Sequence, residues 1–358
     1  MKNFRIMTVF QGIGVVLSIS LLAQGPGDIP EGPGGGGPGG RKHTANEAAP
    51  LNLIPATEWT PERNKVKIRK RSDEITIEAN GMPDHRVGQF SNPQNPNEIA
   101  EQRHDIVIPA DPKPAATITH IHGGGPGSPK VFGITLDGVL IEPGTAETWM
   151  GDRQSGWNYE ALGGAVPLGL DTNFGHVQPT GLYHYHGIPT GLLQRLKARK
   201  GEHSPMIGWA ADGFPIYAVY GYSDPKKPNS PIVELTTSYQ LKTGERPAQT
   251  ENPAGKYDGA FVQDYEFEEK LGTLDDSNGR FCVTPEFPDG TYAYFMTRDW
   301  PVIPRAFRGT PIELKPMGPP HGGKGPPPGG KGLPLGGGKG GKGPPPGGKG
   351  GKGFGPPR

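Results

Sequence analysis

Phe132-Gly133-Ile134-Thr135-Leu136-Asp137-Gly138-Val139-Leu140-Ile141 is two short apolar runs that meet at Asp-Gly. That arrangement predicts a β-hairpin, because a type I′ turn needs positive φ at both central positions and Asp-Gly tolerates it. The order apolar-Gly-apolar-x-apolar-Asp-Gly-apolar-x-Ile returns in Ile207-Gly208-Trp209-Ala210-Ala211-Asp212-Gly213-Phe214-Pro215-Ile216. Two such copies fit related hairpins from a duplicated half. Further out, Val66-Lys67-Ile68 and Ile75-Thr76-Ile77 alternate apolar with polar, and short runs ending in Gly, Pro, Asn or Asp continue to about Pro311. The reading is a mainly β chain: a single β-sandwich or barrel-like domain over residues 56–315, with few short helices, an internal duplication and disordered flanks. One helix is expected, with Thr190 capping residues 192–200, Leu192, Leu193 and Leu196 on one side, and Gly201 as the stop.

Composition agrees. The 358 residues include 59 Gly and 43 Pro, which excludes an all-α bundle or coiled coil. At the N-terminus, Lys2 and Arg5 precede an apolar run over residues 6–23, and Ala23-Gln24-Gly25 supplies small residues for cleavage. Residues 1–25 are therefore predicted to be a signal peptide, and the protein to be secreted, periplasmic or at the cell surface. The run is short and lacks a basic stop-transfer flank, so no stable transmembrane span is expected after processing. Residues 26–55 read as a Gly/Pro-rich linker. Residues 316–358 hold six Lys, one Arg and no acidic residue, and repeat Gly-Gly-Lys-Gly-Pro-Pro-Pro-Gly-Gly-Lys-Gly at 322–332 and 340–350. They read as a disordered basic tail suited to an anionic surface polymer. Nucleic acid is not expected, since only Phe354 accompanies the lysines. Cys282 is the one cysteine and reads as a small buried hydrophobe.

Chemistry concentrates in Gly181-Leu182-Tyr183-His184-Tyr185-His186-Gly187. On a strand, period two places His184 and His186 on one face and the two tyrosines on the other. Paired neutral imidazoles suit copper or zinc, but a site needs a third donor. His176 is the nearest, if Gln178-Pro179-Thr180-Gly181 folds back as a hairpin; His85, after Pro83-Asp84, is the other choice. The predicted metal set is His184, His186, His176 and His85, with Cu or Zn as the cofactor. A second His-x-His, His120-Ile121-His122, loosely resembles, with the first, the paired histidines of multicopper oxidases. No His-Cys-His run follows, and Val283 stands after Cys282, so oxidase chemistry is not expected. Asp264, Glu266 and Glu268 alternate onto one face of an acidic run whose spacing does not match an EF-hand. A histidine-based hydrolase would use His184 or His186 as general base with Asp212 or Glu286; Gly-x-Ser-x-Gly is absent.

Together with Asn80-Gly81-Met82-Pro83-Asp84-His85, His203-Ser204-Pro205-Met206-Ile207-Gly208 and the segment Asn278 to Phe295, the Tyr183-His184-Tyr185-His186 run makes the chain resemble the YHYH domain family. The resemblance covers about residues 75–304. It implies an exported protein and a domain boundary, and names no reaction. The alternatives to metal binding are a cell-surface or extracellular-matrix interaction module with a cationic tail, or the hydrolase.

Overall fold

The computed structural model describes residues 43–58, 61–121, 131–247 and 252–314. The expected signal peptide and basic tail lie outside the described residues. At the centre is an eight-stranded sheet built from β1 (Gly133–Thr135), β2 (Leu140–Ile141), β3 (Gly175–Val177), β4 (Tyr183–Tyr185), β5 (Gly208–Ala210), β6 (Pro215–Ala218), β7 (Gly279–Cys282) and β8 (Thr291–Met296). Its order is β7-β8-β6-β5-β1-β2-β4-β3. The second four strands thus mirror the first four.

The repeated hairpins meet at the middle of this sheet. Strands β1 and β5 pair antiparallel, with Gly133 opposite Ala210, Ile134 opposite Trp209 and Thr135 opposite Gly208. The two copies are therefore related by a local two-fold centred on Ile134 and Trp209. Both turns differ from the expected type I′. Only the glycines are left-handed, Gly138 at φ +80° and Gly213 at +91°. The Thr135 N–H donates to Val139 O and the Ala210 N–H to Phe214 O, both at 2.9 Å. These are three-residue loops that close on glycine, a geometry that follows strand twist while leaving the aspartate at negative φ.

A three-stranded sheet, Val66–Lys70, Glu74–Ala79 and His104–Pro109, turns Ile75, Ile77, Ile106 and Ile108 into the same core as Phe132, Ile134 and Ile216. The alternation read from the sequence is what makes this possible: Ile75 and Ile77 are buried on one face. All sheets among the described residues are open, and none closes into a barrel. Two sequence expectations need correction. Part of the linker is body, since the Ala49 and Ile54 N–H groups donate to Gly163 O and Leu170 O while Leu51 and Leu53 pack on the Trp157, Tyr159 and Phe261 cluster. The acidic run also divides: Asp264 is buried in a two-pronged pair with Arg246 Nε and Nη2 at 2.8 and 2.6 Å, whereas Glu266 and Glu268 face solvent.

The helix is shorter than expected, Thr190–Arg195. Thr190 does not cap it; its hydroxyl donates to Thr172 O. Lys197 turns left-handed at φ 56°, and the Lys197 and Ala198 N–H groups donate to Gln194 O and Leu193 O. That double closure ends the helix at Arg195, six residues before Gly201. Among the described residues no helix is long and apolar enough to cross a membrane.

Gly175 and Gly279 begin equivalent strands, and a Cβ there would lie 2.3 Å from Tyr183 Oη and 2.4 Å from Tyr292 Oη. Gly175→Ala and Gly279→Ala are each expected to lower stability by about 1–3 kcal/mol, read as a shift of the urea midpoint. Unchanged midpoints would contradict this packing.

Candidate metal centre

Strand β4 is buried along its length, so the predicted alternation is forced by enclosure on both faces. On one face the Tyr183 hydroxyl donates to Asp171 Oδ2 at 2.9 Å, and the Tyr185 hydroxyl lies 3.3 Å from Asp137 Oδ2. On the other face stand His184 and His186. Strand β3 returns antiparallel through another three-residue loop, with Gly181 left-handed at φ +84° and the Gln178 N–H donating to Leu182 O at 2.9 Å. This register sets His176 directly opposite His184.

The three imidazoles converge. Ring centroids are 4.6 Å apart for His176 and His184 and 4.7 Å apart for each of the other two pairs. His184 Nε2 lies 3.0 Å from His186 Nε2, which lies 3.3 Å from His176 Nε2. The outer nitrogens orient the rings: His176 Nδ1 faces Leu168 O at 3.2 Å and His184 Nδ1 faces Leu182 O at 3.4 Å. A carbonyl only accepts, so each of these Nδ1 atoms carries the proton and turns an Nε2 lone pair inward. A proton among the three Nε2 atoms bridges one contact; a metal ion serves all three. Zinc–nitrogen bonds of about 2.0–2.1 Å at tetrahedral angles separate two ligands by about 3.3–3.4 Å, close to the spacing here.

Electrostatics favour the ligating form. Burial pushes the His176 imidazole down to about 3, with the His184 ring adding to it, and pushes His184 down to about 4. His186 is held well below its ordinary value, first by burial and then by its two ring neighbours. All three are neutral at pH 7, as a metal ligand must be.

A carboxylate that the sequence reading missed stands beside them. Glu142 follows β2, which pairs parallel with β4 so that Leu140 lies opposite His184. Two residues on, Glu142 shares the histidine face. Its Oε2 is 3.8 Å from His184 Nε2, and the Gln178 amide donates to both carboxylate oxygens, at 3.3 and 3.1 Å. No sequence spacing signals it, because only the parallel pairing brings residue 142 to residue 184.

His85 does not join the cluster. Its Nε2 lies 2.5 Å from Tyr185 Oη, on the tyrosine face, with Nδ1 2.7 Å from Arg86 O. His120 is exposed at the end of the strand Pro114–His120, and His122 lies outside the described residues. Asp212 accepts from the Tyr294 hydroxyl and Glu286 from the Tyr217 hydroxyl, both in the other half of the sheet. The acids assigned to a hydrolase are thus bonded elsewhere, and the carboxylate near His184 is Glu142. Cys282 is buried, as expected.

A family model described as YHYH protein matches residues 105–309, more than half of the chain, and contains the three converging histidines and Glu142 but not His85. No curated protein matches the chain, and no solved structure does.

Acid should unfold the metal-free protein through these rings. Above about pH 6.5 neither state holds protons at them, so they add no pH dependence. Below it the unfolded chain gains protons that the folded chain refuses, and stability falls until the folded values of about 3 to 4 are reached. His104, also buried and pushed down to about 4, adds to the same window. Urea midpoints in chelator are expected to fall steeply between pH 6.5 and 4.5; a flat profile would refute the burial argument.

Proposed function

This chain belongs to the YHYH family, and we propose that its Tyr-His-Tyr-His strand serves to bind one divalent transition metal, copper or zinc. The ligands are Nε2 of His176, His184 and His186, with the Glu142 carboxylate as an oxygen donor beside them. The observation that carries this reading is the convergence of three neutral Nε2 atoms, those of His184 and His186 buried and that of His176 half-buried, within 3.0–3.3 Å of their neighbours. Imidazole suits both metals, and three imidazoles leave a fourth position for the carboxylate or water. Residues 1–25 and the basic tail extend the proposal: the metal would be acquired after export, and the tail would hold the protein near an anionic polymer.

The test uses the full chain, stripped with chelator and then equilibrated with Zn²⁺ or Cu²⁺. About one equivalent is expected to remain after desalting, and His184→Ala with His186→Ala to reduce it to background. Metal at 100–1,000 times its dissociation constant should stabilise the wild type by about 2.7–4.1 kcal/mol against urea. A protein that retains no metal, with unfolding unmoved by either ion, would remove the proposal.

A further inference from the structure

The two halves of the sheet correspond well beyond the hairpins visible in the sequence. Asp171 and Asp275 open equivalent strands: each accepts from the backbone N–H two residues on, at 2.8 and 3.0 Å, and four residues on, at 3.1 and 3.0 Å. Phe174 and Asn278 are both left-handed, at φ 57° and 52°, and their carbonyls accept from the N–H groups of His186 and Phe295. Tyr183 and Tyr292 donate to those two aspartates, while Tyr185 and Tyr294 meet Asp137 and Asp212 in the paired hairpins. Register completes the match. Gly175, His176 and Val177 lie opposite Tyr185, His184 and Tyr183, as Gly279, Arg280 and Phe281 lie opposite Tyr294, Ala293 and Tyr292.

His176, His184 and His186 therefore correspond to Arg280, Ala293 and Phe295. We infer that the Arg280 guanidinium occupies, in the C-terminal half, the position equivalent to that of the proposed metal, a permanent organic cation standing where the first half would hold an inorganic one, and that three imidazoles placed there would bind metal. The guanidinium lies over the Phe295 ring, 5.6 Å from its centroid, and donates to Tyr222 O at 2.5 Å. Where the first half presents lone pairs to a cation, the second carries its own charge, which cannot dissociate or be chelated. Tyr217 stands in the Glu142 place, its hydroxyl donating to Glu286 at 2.8 Å. His203 lies beside the same position, its ring 6.2 Å from that of Phe295. Metal thus bridges β3 to β4 where Arg280 and Phe295 bridge β7 to β8, and only the first bridge is removable. The structural equivalence stands alone; its metal chemistry rests on the reading proposed above.

The test transplants each set into the other half of the full chain, with Zn²⁺ alone as probe. Arg280→His with Ala293→His and Phe295→His is expected to bind one equivalent more than wild type by equilibrium dialysis. The reciprocal His176→Arg, His184→Ala and His186→Phe is expected to stay cooperatively folded, to lose the wild-type equivalent and to unfold in urea independently of Zn²⁺. A folded first variant with no added equivalent would overturn the inference, and so would a reciprocal variant that does not fold, which decides the matter if the first fails to fold. Wild type binding none while the first variant binds one would instead sink the earlier proposal and leave this one standing.

Discussion

Three tyrosine hydroxyls bonded to aspartates, and a fourth set between His85 and Asp137, hold the central sheet in register. Tyr183 and Tyr185 meet Asp171 and Asp137, and Tyr292 and Tyr294 meet Asp275 and Asp212, at 2.5–3.3 Å. A hydrogen bond to a charged group is worth about 1.5–3 kcal/mol, and leaving its buried partner unmet costs about as much again. Slipping β4 by one residue would turn both hydroxyls away from their carboxylates and drive His184 and His186 onto the aspartate side. The anchors therefore fix on the tyrosine face what the histidine face presents.

The histidine face inherits that rigidity and its consequences. His184 and His186 are almost fully enclosed, so their charged forms are disfavoured and the rings stay neutral across the physiological range. Neutral rings gathered at this spacing are poor partners for one another, since each inward nitrogen offers the same lone pair. Glu142, held in place by Gln178, adds a further lone-pair donor beside them and a negative charge. Three neutral donors beside one carboxylate favour a divalent cation over any anion.

Near two-fold symmetry makes the asymmetry informative. The Asp-Gly hairpins, the left-handed residues before β3 and β7 and the tyrosine anchors recur in both halves, yet the inward set is three imidazoles in one and Arg280 with Ala293 and Phe295 in the other. The backbone demands at these places, such as glycine where a tyrosine hydroxyl approaches within 2.3–2.4 Å of a would-be Cβ, are common to both. At the inward positions of the paired strands what differs is the side chains, three imidazoles in one half and Arg280, Ala293 and Phe295 in the other, while the connection between the two strands lengthens from residues 178–182 to residues 283–290.

The alternation of Tyr183-His184-Tyr185-His186, the Asp-Gly hairpins and the β content were all legible in the sequence, because period two and turn residues are local properties. His176 is legible as a partner through the short return loop at residues 178–182, while the register that sets it opposite His184 comes only from the strand pairing. His85 is not legible in this way, because a sequence pattern does not say which face a ring meets, and packing gives it to Tyr185. Glu142 was invisible for the opposite reason, since a parallel pairing joins segments that no short loop connects. The sequence alone thus determined which residues share a face along one strand, a matter of backbone period, while only the tertiary structure decided which strands lie side by side, a matter of core burial and long-range hydrogen bonding.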